Sequence, residues 1–118
     1  MNEYDLRNKH KDKIIDIIGK KPKNLKELVK NRNNILNLLN ETNNVDEEHL
    51  ENTIKLIKNN FPEEIFYVKS IDEMMNRIYQ FMIYIIQLDN TMLKDSGYSL
   101  LISYYFLISK NLLNSANS

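Results

Sequence analysis

Apolar residues recur every three or four positions along almost the whole chain, the period of an amphipathic α-helix. Leu6, His10, Ile14 and Ile17 form a first stripe and predict a helix over about Glu3 to Ile18. Gly19 stands at the position of a C-terminal cap, and "KKPK" interrupts the pattern after it. Asn24 is a good N-cap for a second helix reaching about Asn40, with Leu25, Leu28, Val29, Leu36 and Leu39 on its apolar face. Asp46 is expected to cap a third helix, ending near Asn60, and Val45 and Leu50 have the spacing of a hydrophobic staple. Pro62 opens a short helix, "PEEIFYVK". Ser70 and Glu73 have capping-box spacing and start the longest helix, about Ile71 to Lys94, which "KDSGY" closes through Gly97. A last helix then covers about Tyr98 to Asn114. The expected fold is all-α: five main helices and one short helix in a compact, mostly antiparallel bundle, since the connections are short.

The most apolar stretch, "RIYQFMIYIIQLD", is unbroken only from Phe81 to Ile86, about two turns. A transmembrane helix needs ~20 such residues, so no span is expected. At ~100° per residue, Met74, Met75, Ile78, Tyr79, Phe81, Met82, Ile85, Ile86, Met92 and Leu93 share one arc, the core face of a central helix. Ile83 and Tyr84 fall outside that arc. The last helix carries Leu100, Leu101, Tyr104, Tyr105, Leu107, Ile108 and Leu112 on one side and a column of Ile102, Phe106 and Leu113 on the other. A helix apolar all round is buried all round or meets a partner. That second face is therefore either covered by the polar N-terminal half or open for docking. Asp89 falls inside the apolar arc; it either lies hydrated near the helix end or accepts hydrogen bonds from Tyr104, Tyr105 or Lys110.

Composition narrows the classes. The 118 residues suit one domain, read as 1–114 with a flexible tail at 115–118. Only two Gly and two Pro occur, too few for a hairpin-rich sheet protein. There is no cysteine, so disulfides and thiolate metal sites are out. The charged opening is not followed by a long apolar run, so no signal peptide is expected and the chain reads as cytoplasmic. The Asn, Lys and Ile usage matches an AT-rich genome and carries no functional information.

The 16 basic and 16 acidic residues cancel, but not locally. From Arg7 to Arg32 there are ten basic and three acidic residues, and from Glu41 to Glu73 nine acidic and three basic. Lys20, Lys21, Lys23 and Lys26 surround the start of the second helix, where an anion is favoured.

Catalytic chemistry is not recognisable. One His on an apolar stripe, His10, makes no metal site. His49 beside Asp46, Glu47, Glu48 and Glu51 reads as a solvated helix start. Glu48 and Glu51 give the first half of the paired-carboxylate motif of helical nucleotide pyrophosphohydrolases, but Glu73 is followed three positions later by Asn76, not an acid. The Arg-to-His signature of helical ribonucleases, the P-loop and the GxSxG turn are missing too. No catalytic residue, cofactor or metal ligand is assigned.

Size and helical architecture are shared with bacteriocin immunity proteins, phage inhibitors of host defence and small viral bundles, and no motif selects among them. The expectation is a non-enzymatic interaction protein of inhibitor, immunity or adaptor type, meeting a protein partner or a second copy through Ile83, Tyr84, Ile102, Phe106 and Leu113. Deep burial of Ile102 and Phe106 within the chain would remove that face. The alternative is nucleic-acid or phosphate binding through segment 7–32, with Lys20, Lys21, Lys23 and Lys26 as ligands. A hydrolase using scattered carboxylates stands third.

Overall fold

Two polar side chains set two of the helix starts. Asn24 Oδ1 accepts the Glu27 N–H at 2.8 Å, which satisfies one of the free amides of a helix beginning at Leu25. Ser70 Oγ accepts the Glu73 N–H at 3.1 Å. The Glu73 carboxylate reaches back to the Lys69 N–H at 3.1 Å, so the reciprocal half of the box lands one residue upstream of the cap.

The protein was analysed as a computed structural model that describes residues 3–43, 47–87 and 91–116. Among these residues the elements are α1 (Glu3–Gly19), α2 (Leu25–Asn43), α3 (Glu47–Asn60), a 3-10 turn (Glu63–Phe66), α4 (Ile71–Gln87) and α5 (Thr91–Ala116). The fold is an all-α bundle with no strand among the described residues. The expected cap Asp46, its staple partner Val45, and Asp89 lie outside the described residues, as do Asn117 and Ser118.

Two expected boundaries are corrected. The short helix is a single 3-10 turn, and Pro62 precedes it at φ −60° and ψ 138°, outside the helical region. The break between the last two helices falls before Thr91, and α5 continues through Gly97. Glycine inside a helix costs about 1 kcal/mol relative to alanine. A helix that buries every residue from Leu101 to Ser109 offsets that cost.

That burial makes α5, rather than α4, the central helix. It packs against α1, α2, α3, α4 and the 3-10 turn. The core around it includes Phe66, Val68, Met74, Met75, Ile78 and Phe81 from the second half of the chain and Ile14, Ile18, Leu28, Ile35, Leu39, Leu50, Ile54 and Ile57 from the polar N-terminal half. The Phe81 and Tyr104 rings stack with centroids 4.3 Å apart. His10, midway along α1, lies 2.7 Å from Glu41 near the end of α2, while the end of α1 joins the start of α2 through a short loop, so these two helices run antiparallel. No described helix is long and apolar enough to cross a membrane.

Candidate functional site

The expected apolar face does not exist as one surface. Ile102 is 6% exposed and Phe106 1%, both within the core, and Leu113 is partly covered against it. The physical reason is the covering of the second side of α5 by the N-terminal half. Arg32 of α2 lies over the Phe106 ring, its guanidinium carbon 4.9 Å from the centroid. Its Nη1 donates to the Phe106 carbonyl at 2.9 Å and to Ser109 Oγ at 2.7 Å, and its Nη2 donates to Glu47 at 2.7 Å. Burial disfavours the charged guanidinium, and Glu47 opposes that effect. One arginine thus ties α2, α3 and α5 together. Ile102 and Phe106 are therefore withdrawn as interaction residues.

Ile83 and Tyr84 remain outside, 55% and 44% exposed. They stand on the solvent face of α4 with Asn76, Gln80 and Gln87. Tyr84 borders an open groove of about 200 Å³ lined by Phe61, Pro62, Ile65, Phe81 and Tyr104, with Arg77 and Gln80 as its polar members. Phe61 meets Tyr84 edge-on at 5.3 Å and Phe81 at 5.4 Å. The Tyr104 hydroxyl donates to the Ile65 carbonyl at 2.6 Å, which fixes the groove wall to the 3-10 turn. Burial raises the Tyr104 pKa. Arg77 makes no ion pair or hydrogen bond among the described residues. The sequence reading missed this groove, because its lining comes from the segment around residues 61–65, from α4 and from α5, which no local pattern joins.

The four predicted lysines are brought together. Lys20, Lys21, Lys23 and Lys26 line one groove of about 840 Å³, joined by Lys30, Asn24, Asn31, Asn33 and Asn34, with Glu27 as its single acid. Lys21 pairs with Asp72 of α4, and the Tyr79 hydroxyl of α4 donates to the Gly19 carbonyl at 3.1 Å. Both contacts anchor the lysine loop to α4. The α2 start is occupied by its own cap, so the amide ends there do not make the site.

His10 is buried and faces Glu41 across the α1–α2 hairpin. Among the described residues no group of three or more His, Asp or Glu side chains is placed to hold a metal ion. No known protein family, curated protein or solved structure matches the chain.

Proposed function

We propose that this is a non-enzymatic, cytoplasmic protein-binding module that docks a partner segment on the outer face of α4. The observation that supports it is an aromatic groove with an arginine that has no ion pair among the described residues, beside two half-exposed residues, Ile83 and Tyr84. Tyr, Phe and Arg are the side chains that anchor protein interfaces. A space of about 200 Å³ is on the scale that takes one ring or aliphatic side chain. Arg77 supplies a positive charge within that apolar setting, where a carboxylate partner is worth more than in water. Glu63 and Glu64 are exposed and stand outside the lining. The occupant is therefore a protein segment with an apolar anchor next to an acidic residue. An inhibitor, immunity or adaptor role is consistent with such a surface.

Selection of a displayed peptide library on the chain tests this. The expected result is an enriched pattern of one large apolar residue beside Asp or Glu, with binding abolished by Tyr84→Ala and by Arg77→Glu. Enrichment of basic peptides, or equal enrichment on the Tyr84→Ala variant, would overturn the reading. A dimer in solution that Ile83→Asp dissociates would assign the face to a second copy instead.

A further inference from the structure

We propose that the lysine groove between the α1–α2 loop and the outer face of α2 binds single-stranded nucleic acid. The lysines of this site stand apart from the α4 docking groove, and Tyr79, one turn before Ile83 on α4, lies at the border between the two. Three observations carry it. Lys20, Lys23, Lys26 and Lys30 line one concave surface and make no ion pair among the described residues. Four asparagines share that lining; Asn24 is engaged as the α2 cap and Asn31 reaches Tyr105, while Asn33 and Asn34 are exposed, and amides both donate to phosphate oxygens and read base edges. The third observation is an aromatic ring that the folded chain brings from 60 residues away. Tyr79 is 50% exposed, and its hydroxyl binds the carbonyl of Gly19, the residue before Lys20.

A polycationic groove flanked by an accessible ring is the arrangement that tracks a flexible phosphodiester chain while one base stacks. A stacked base must be unpaired, which excludes a duplex from using Tyr79. A planar anionic membrane does not enter a concave groove. Glu27 in the lining and Asp72 beside Lys21 oppose a polyanion, so four ammonium groups set the strength.

The experiment is fluorescence anisotropy of a labelled oligo-dT of about twelve nucleotides, a length within the site sizes of single-strand binders. Four released counterions on a single strand give a log–log salt slope of about −3, so affinity should fall about 50-fold between about 50 and 200 mM salt. Lys26→Glu with Lys30→Glu should weaken binding at least tenfold, as about half the slope is lost. Tyr79→Ala should weaken it about fivefold or more, while Tyr79→Phe keeps the ring and stays near the parent. Both lysines and Tyr79 are solvent-facing, and circular dichroism of each variant checks that the fold is retained.

Absent or salt-insensitive binding overturns the proposal. So does equal affinity for the matching duplex, or for vesicles of phosphatidylcholine and phosphatidylserine. A Tyr79→Phe variant as weak as Tyr79→Ala removes the stacking role.

Discussion

Removing the counter-charge from a buried arginine is the sharpest test of how this bundle is held. The Arg32 side chain is 11% exposed and Glu47, its only carboxylate partner among the described contacts, is 40% exposed. Glu47→Ala leaves the guanidinium in place with two neutral acceptors, Phe106 O and Ser109 Oγ, and no opposing charge. A charge-assisted hydrogen bond contributes about 1.5–3 kcal/mol. An acid in the first turn of α3 adds about 0.5 kcal/mol through the helix dipole. We expect Glu47→Ala to lower stability by about 3 kcal/mol, the lower edge of the cost of breaking a buried pair, because water reaches the Glu47 side of the contact.

Arg32→Met retains most of the side-chain volume and the packing on Phe106 without a charge to bury, so it should cost about 1 kcal/mol. The double variant is the decisive one. With no guanidinium left unpaired, it should be more stable than Glu47→Ala alone. Urea unfolding followed by circular dichroism reads these differences; with a slope of about 2 kcal/mol per molar, Glu47→Ala moves the midpoint down by about 1.5 M. A double variant whose loss equals or exceeds that of both single variants added together would refute the argument that an uncompensated buried charge is what costs stability.

Two further outcomes follow from the core and from α1. Burial pushes the Tyr105 hydroxyl up to about 12, with Asn31 and Arg32 pulling the other way, and raises Tyr104 as well. In the unfolded chain both lose their protons near pH 10, so stability is full below about pH 10 and falls above it by about 1.4 kcal/mol per pH unit for each tyrosine. Tyrosinate absorbance should show Tyr104 and Tyr105 losing their protons only as the helices melt; their ionisation near pH 10 with the helical signal intact would contradict it. Gly19 ends α1 without a left-handed φ, and nothing lies within 4 Å of a Cβ added there. Gly19→Ala should therefore raise stability by about 0.5–1 kcal/mol through the unfolded chain, and a lowered melting temperature would count against it.

Periodicity was enough for the local structure. Helix starts at Leu25 and Ile71 were legible because Asn24 and Ser70 act on amides three residues away, within the same short segment. The α4–α5 boundary was not legible, because a glycine signal worth about 1 kcal/mol competed with the burial of a whole helix, which no local window contains. The lysine set was readable as a cluster, since its four predicted members fall within seven residues of chain. Its neighbour Tyr79 was misplaced: periodicity put it on the core arc, yet it is 50% exposed and its hydroxyl bonds Gly19 across 60 residues of chain, a contact no local window contains.

The sequence by itself determined the helical class, because each helix reports its own buried stripe through a fixed turn angle. Whether the second side of α5 faced solvent was decided only in three dimensions. Ile83 and Phe106 are equally apolar as residues, yet one is 55% exposed and the other 1%. Burial is a property of what packs opposite, and what packs opposite Phe106 is Arg32, a charged residue 74 positions away.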